Sequence, residues 1–149
     1  MNVEWADAWA EPEVIDVDSP DVLERVLADV ERRVDSSGVA TTTVIRRGED
    51  AFSLVLGLGD VSFVQWMGGT EGAYLGVDTG AGGDDGTDLV EFSYFGHHSE
   101  VPRSRCVPHD DAVNEARHFF LTGRLSQRWE WSGYLGNTPA PEGVRTRDV

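Results

Sequence analysis

The first clear pattern along the chain is an apolar stripe with helical spacing. Aliphatic residues recur three and four positions apart, which places them on one face of an α-helix. These residues are Val22, Leu23, Val26, Leu27, Val30 and Val34. Ser19 is a suitable N-cap, Pro20 suits the first helical position, and Gly38 is typical of the residue just beyond a helix end. The pattern predicts a helix from Pro20 to about Gly38.

A second apolar stripe begins after Val107-Pro108 and ends at Gly123. Its apolar positions are Ala112, Val113, Ala116, Phe119 and Phe120. The spacing again fits one face of a helix. The sequence therefore predicts a second main helix in the C-terminal half.

Elsewhere the period changes from about four to two, which indicates β-strands. The predicted strands cover residues 39–47, 52–56, 61–66, 73–77, 89–94 and 128–131. Glycine-containing turns at 48–50, 59–60 and 68–69 make the links short, and successive strands with short links are antiparallel. We expect an α+β fold, an antiparallel meander of about five or six strands with two main helices packed on one face.

The chain shows no linker, repeat or composition break, so residues 1–149 are expected to form a single domain with a flexible tail over about 139–149. No stretch is long and apolar enough to cross a membrane, and the acidic N-terminus is unlike a signal peptide. A single cysteine, Cys106, excludes an internal disulfide and fits a reducing compartment. We expect a cytoplasmic protein.

Charge changes the picture more than size does. The chain has 27 acidic residues against 12 basic ones, all arginine, for a net charge of −15. Such a surface repels nucleic acid and anionic lipid, so neither is an expected partner. A basic partner is favoured over these, although solubility alone also explains an acidic surface.

The sequence gives only weak support for a metal site or a nucleophilic cysteine. His97, His98 and His109 lie near Cys106 in the sequence, but their spacing matches no known zinc motif. Solvent-facing histidines and a small core cysteine are the simpler interpretation. The aspartates of residues 78–88 lack the spacing of an EF-hand, and a solvated hairpin tip explains them better than calcium. We expect no cofactor and no catalytic residue.

Five tryptophans stand out among the aromatic residues. Trp129 and Trp131 lie two apart and share a sheet face, where core packing is the simpler interpretation and an interface anchor the alternative. Trp5 and Trp9 lie in an acidic segment, and we expect them to be half exposed.

The C-terminal half carries a family resemblance. The segments that carry it are 89–96, 100–102, 107–108, Ala112, Ala116, 119–124 and 129–131. In order and spacing they resemble the first-numbered immunity family of bacterial polymorphic toxin systems, whose members often accompany nucleic-acid deaminase toxins. Residues 54–57 and 64–66 agree more loosely, and the first helix agrees only in position. One departure is Leu125-Ser126, where members commonly carry a proline.

The resemblance implies a non-enzymatic inhibitor that binds a cognate toxin and blocks the substrate groove or active site of that toxin. A toxin that acts on nucleic acid needs a basic groove, which an acidic domain complements. Candidate toxin-binding residues are exposed acids and nearby aromatics: Asp84, Asp85, Asp88, Glu100, Asp110, Asp111, Trp5 and Trp9.

Two alternatives stay open at this point. One is an acidic regulatory module that binds a cellular protein without any toxin partner. The other is a small metal-binding enzyme that uses His97, His98, His109 and Cys106. The sequence leaves the oligomeric state, the identity of the toxin and the contact surface undecided.

Overall fold

The fold is taken from a computed structural model, which describes residues 1–6, 11–68, 73–78 and 88–133. Two α-helices are described, α1 (Pro20–Ser37) and α2 (His109–Thr122). The strands are β1 (Asn2–Trp5), β2 (Glu13–Asp16), β3 (Thr41–Arg47), β4 (Asp50–Leu56), β5 (Val61–Ser62), β6 (Val64–Gly68), β7 (Ala73–Asp78), β8 (Leu89–Tyr94), β9 (His97–Pro102), β10 (Val107–Pro108) and β11 (Glu130–Gly133). Neither helix has the length and hydropathy of a membrane-spanning segment.

Helix α1 begins and ends where the sequence predicts. The Ser19 side-chain oxygen accepts a hydrogen bond from Val22 N–H (3.3 Å), and Pro20 occupies the first turn. Gly38 ends the helix in the left-handed region, with φ +78°. The buried residues are four members of the predicted stripe: Leu23, Leu27, Val30 and Val34. The apolar face therefore drives the docking of α1.

Helix α2 also matches its predicted limits. Gly123 has φ +72°, and its N–H donates to Phe119 O at 2.7 Å. The last carbonyls also receive a cation, because Arg47 on β3 donates from Nη1 to Phe120 O at 3.1 Å. A positive charge at this end of a helix is favourable, so Arg47 fixes α2 against the sheet.

The described strands are more numerous than predicted, and the estimate of five or six was wrong. The main sheet has nine strands: seven in the order β11-β7-β6-β4-β3-β1-β2, with β8 pairing β3 and β9 pairing β8. Strands β5 and β10 form a separate two-stranded pair. The added strands are short or polar, as in β2 (Glu13–Asp16) and β9 (His97–Pro102). Backbone pairing stabilises such strands without a long apolar alternation.

Consecutive paired strands are antiparallel, as expected. Strand β8 departs from the meander, because it joins the start of β3 in parallel through Thr41 and Ser93. Ser93 N–H also donates to Ala40 O at 2.8 Å. This junction fixes the β8–β9 hairpin to the connection between α1 and β3.

Both helices pack on one face of the sheet, as predicted. They contact each other and β4, and the rings of Phe52 and Phe119 stack at 6.0 Å. Trp131 is fully buried in this core, with Trp129 packed edge-on at 6.0 Å. Core packing is thus the correct interpretation of this tryptophan pair.

The structure corrects the expectation that Trp5 is half exposed. Trp5 is 2% exposed and lies in the main core, directly opposite Thr43 on β3. The guanidinium of Arg33 on α1 lies 5.4 Å from the centre of its ring. Alternation along β1 turns Val3 and Trp5 inward, although the surrounding segment is acidic.

A smaller cluster forms beyond the main core. Val55 lies between Leu54 and Leu56 of β4, which face the helices, so alternation turns Val55 to the opposite face. There it joins Ala40, Phe63 and Phe92, with the two phenylalanine rings 6.0 Å apart. The β8–β9 hairpin is thus anchored by its own apolar cluster.

Candidate functional site

The β8–β9 hairpin turns through two residues, Phe95 and Gly96. Tyr94 pairs with His97, and both turn residues have positive φ, +49° and +88°. Two-residue hairpin turns favour Asn-Gly or Asp-Gly at these positions, because a bulky residue is strained at positive φ. Phe95 is half-buried and packs edge-on against Tyr94 at 5.2 Å. The tip therefore presents an aromatic pair on a strained backbone.

The outer face of the hairpin brings two carboxylates together. Glu91 on β8 lies directly opposite Glu100 on β9. His98 Nε2 lies 3.9 Å from a carboxylate oxygen of each. The side chains of Glu91, Glu100 and His98 are 69%, 50% and 67% exposed, respectively. Like charges directly opposite in a sheet repel each other, so this face favours a positively charged neighbour.

Arginines neutralise acids elsewhere on the described surface. The pairs are Arg32–Asp29, Arg33–Glu13, Arg46–Glu4, Arg103–Asp88, Arg117–Glu24 and Arg128–Asp111. Over the described part of the chain, none of these arginine pairs includes Glu91 or Glu100. Among the described residues, their one charged contact is His98, which is positive only when protonated. The hairpin therefore carries unneutralised negative charge.

Two grooves flank the hairpin. The first has a volume of about 320 Å³ and is lined by Gly38, Val39, Ala40, Glu91, Phe92, Ser93, Gly96 and His98. The second, of about 350 Å³, is lined by Phe63, Gln65, Phe92, Tyr94, Ser99, Glu100 and Val101. Volumes of this size suit side chains or small ligands. The hairpin thus combines acidic, aromatic and concave features.

The structure places four of the predicted acids on the surface. Asp88, just before β8, is held by Arg103 at 3.3 Å, and Glu100 lies on the outer face of the hairpin. Asp110 is 98% exposed in the first turn of α2. Asp111 beside it pairs with Arg128 at 2.8 Å. Asp84, Asp85 and Trp9 lie outside the described residues.

The hairpin also contains residues that the sequence interpretation missed. Glu91 and the aromatic pair Tyr94–Phe95 were not among the candidates, and His98 was named only as a ligand of the alternative metal site. A signal was present, because a two-residue turn at Phe95-Gly96 would by itself place position 91 opposite 100. The polar β9 segment lacks a strand-like alternation of apolar residues, so the hairpin was not predicted.

The residues of the proposed metal enzyme do not form one site. His109 Nε2 lies 2.9 Å from Glu31 Oε1, so its ring faces α1. Burial raises the pKa of the Cys106 thiol from 9.0 to about 11; to a smaller extent the charge of Arg103 lowers this pKa and the charge of Asp88 raises it. A thiol with so high a pKa is a poor nucleophile at neutral pH.

Glu91, His98 and Glu100 are the described residues that could hold a metal ion, since their ligand atoms lie within 4.8 Å of one another. All three are solvent-exposed on one hairpin face. A structural zinc site has four ligands, whereas three exposed groups on a sheet surface leave the ion open to water. A cationic side chain from a partner would relieve the repulsion between Glu91 and Glu100 as well as a metal ion would.

Comparison with known proteins gives one clear result. No curated protein matches the chain significantly. The family model for immunity protein Imm1 matches residues 11–132, from before β2 into β11. The match extends well beyond the C-terminal segments on which the sequence resemblance rested, and includes α1 and the central strands. The chain therefore belongs to the Imm1 family of immunity proteins, as a non-enzymatic inhibitor with a cognate toxin partner.

Proposed function

We propose that this protein neutralises a basic toxin domain that acts on nucleic acid, a deaminase, and that it does so in the cytoplasm. The observation that carries the proposal is the opposed pair Glu91 and Glu100, which no described arginine neutralises. The net charge of −15 adds long-range support. The inhibitory role follows from membership of the family, and the negative charge favours a basic partner.

The charge argument rests on what such a toxin must contain. A domain that binds phosphates carries arginine and lysine in its substrate groove. An acidic surface accelerates encounter with that groove, and the acceleration falls as salt increases. A nuclease carries the same basic groove, so charge favours a nucleic-acid toxin in general. The deaminase assignment rests on the family resemblance.

Inhibition by this protein needs no chemistry. A deaminase admits an extruded base into a pocket, and a protein that covers the approach to this pocket prevents that step. The β8–β9 hairpin presents Tyr94 and Phe95, which are aromatic residues of the kind found at interface centres, together with Glu91 and Glu100, whose charge suits a basic partner. We place the hairpin over the substrate groove of the toxin.

Five other candidate acids lie outside β8 and β9 in the sequence. Asp88 precedes the hairpin directly, and Asp84 and Asp85 precede Asp88 in the sequence. Asp110 and Asp111 lie in the first turn of α2. We assign all five to the edge of the interface, where exposed charges act on the association rate more than on complex lifetime. Trp5 takes no part in this surface, since it is buried in the core.

A neutralisation titration tests the proposal. The toxin domain encoded beside this gene is assayed for deamination of DNA and RNA substrates while this protein is added, at about 50 mM and about 500 mM salt. We expect toxin activity to be fully inhibited at one equivalent of this protein. Association is expected to be slower at high salt because exposed charges are screened. Full toxin activity in the presence of excess folded protein contradicts the proposal, and inhibition without any salt dependence contradicts its electrostatic part.

Charge reversal at one or two positions identifies the contributing acids. Asp84→Arg with Asp85→Arg, and separately Asp110→Arg, are expected to slow association severalfold. Glu49→Arg is the matched control, because Glu49 is exposed in the turn between β3 and β4. Association rates equal to that of the control would remove the tested acids from the interface.

A further inference from the structure

The groove between the β8–β9 hairpin and the α1–β3 connection has features that select one kind of occupant. We propose that it receives an arginine side chain of the toxin, an inference that rests on the proposed function. The groove has a volume of about 320 Å³. It lies beside the opposed acids Glu91 and Glu100, so a single long cationic side chain can fill the groove and contact the two carboxylates.

One wall of the groove is formed by residues 38–40. Val39 is among the few large apolar residues that are exposed, at 40%. A Cβ placed on Gly38 would meet no other atom within 4 Å, so the groove is open at this point. An apolar, open wall suits the methylene stem of an arginine, which packs on apolar surface while its charge stays near water.

The opposite wall is formed by β8 and its partner β9. Glu91 and His98 line it, and Glu100 lies directly across from Glu91. The two walls are joined by the hydrogen bond from Ser93 N–H to Ala40 O and by the pairing of Thr41 with Ser93. The acids are thus held on strands at a fixed distance from the apolar wall, which reduces the entropy lost on binding.

The arrangement favours arginine over lysine. A guanidinium presents several N–H donors in one plane and can contact two carboxylates at once, whereas an ammonium group acts as a point charge. Glu91 and Glu100 are two carboxylates on the same face, and the nearby His98 ring is a flat surface beside them. A guanidinium also relieves the repulsion between the acids, which the free protein carries.

The decisive experiment measures toxin affinity for groove variants by calorimetry or surface plasmon resonance. Glu91→Gln removes one carboxylate from an exposed position, and we expect affinity to fall about 10-fold to 100-fold. Val39→Trp fills the groove and is expected to cause a similar loss. Leu121→Trp adds similar bulk at another exposed apolar position, on α2, and Glu49→Gln removes an acid in the turn after β3, about 20 Å away. Both controls are expected to bind within about twofold of the unmodified protein.

The toxin side of the contact is tested by a double-mutant cycle. Each surface arginine of the toxin is changed to lysine and to alanine, each surface lysine is changed to alanine, and every variant is measured against both Glu91→Gln and the unmodified protein. We expect one arginine whose replacement loses its effect once Glu91 is changed, because the two groups interact directly. Lysine at that position is expected to restore only part of the affinity.

The outcomes separate the two proposals. Inhibition by the unmodified protein, with affinities of Glu91→Gln and Val39→Trp equal to the controls, would overturn the groove inference and leave the proposed function intact. An absence of inhibition by the unmodified protein would overturn the proposed function itself. Coupling of Glu91 to a toxin lysine, with no arginine coupled, would overturn the choice of arginine. Urea unfolding of each variant confirms that the compared proteins are folded.

Discussion

Glu115 on α2 and Ser126 beyond its end form two hydrogen bonds of 2.6 Å. Ser126 N–H donates to Oε1 of the carboxylate, and the Ser126 hydroxyl donates to Oε2. Glu115 is 1% exposed, so both of its oxygens are satisfied inside the protein by one residue. The pair closes the turn that follows Gly123. A serine at position 126 supplies an N–H and a hydroxyl that a proline lacks.

The first prediction concerns the stability of this turn. Glu115→Ala leaves two Ser126 donors without their acceptor, and we expect the free energy of unfolding to fall by about 2–3 kcal/mol. Ser126→Ala removes the hydroxyl, which donates to Glu115 and accepts from Arg128 N–H at 3.2 Å, and is expected to cost about 1–2 kcal/mol. Urea denaturation measures both, with Asp110→Ala as an exposed control on the same helix. Equal stability of Glu115→Ala and the control would show that the pair contributes nothing.

A second prediction separates stability from binding at the hairpin tip. Phe95→Asn places a residue that favours positive φ in the turn, which offsets the loss of the ring contact with Tyr94. We expect the free energy of unfolding to change by less than about 1 kcal/mol. Toxin affinity is expected to fall about 10-fold or more, because an aromatic anchor is lost. Unchanged affinity would place the tip outside the interface.

The third prediction compares two buried threonines on β3. Thr41 Oγ1 donates to Ala6 O at 2.8 Å, whereas Thr43 Oγ1 has no hydrogen-bond partner among the described residues. Valine has nearly the same shape as threonine, so the substitutions test the hydroxyls alone. We expect Thr43→Val to stabilise the protein by about 1 kcal/mol and Thr41→Val to destabilise it by about 1 kcal/mol. Thermal and urea unfolding of the two variants are compared, and effects of the same sign would contradict the assignment.

A fourth prediction follows from the raised pKa of Cys106, which is about 11. At pH 8 the thiolate fraction is expected to be about 100-fold below that of a thiol with the ordinary pKa. Alkylation by iodoacetamide should slow by a similar factor in the folded protein and recover in urea. Mass spectrometry over time gives the rate. Labelling of the folded protein as fast as that of the urea-unfolded chain would show that the thiol is not buried.

The same thiol sets a direction for stability against pH. The folded protein holds the Cys106 proton more tightly than the unfolded chain does. The contribution of this thiol to the free energy of unfolding is therefore fully present below pH 9 and is lost as pH rises from about 9 to about 11. Cys106→Ala removes this contribution. Unfolding free energies measured at pH 8 and pH 10.5 are therefore expected to differ more for the unmodified protein than for the variant.

The helices show how far local patterns reach. The apolar stripe, the cap at Ser19 and the terminal glycines at 38 and 123 act within a few residues, and each has its predicted role in the structure. Central strands with clear alternation, such as β4 and β6, were also predicted. Strands β1, β2 and β9 were not, because they are short or polar and depend on pairing with neighbours that are distant in sequence.

The candidate site divides in the same way. The sequence alone determined the acidic charge, two helices on one face of a sheet, and the C-terminal pattern of the immunity family, because all of these depend on composition or on local order. Only the tertiary structure decided that Trp5 is buried, that the hairpin is anchored through Phe92 against Phe63, and that the hairpin joins residues 38–40 to form a groove. These features require contacts between residues about 30 to 60 positions apart, and their free energy comes from burial and pairing that no local pattern specifies.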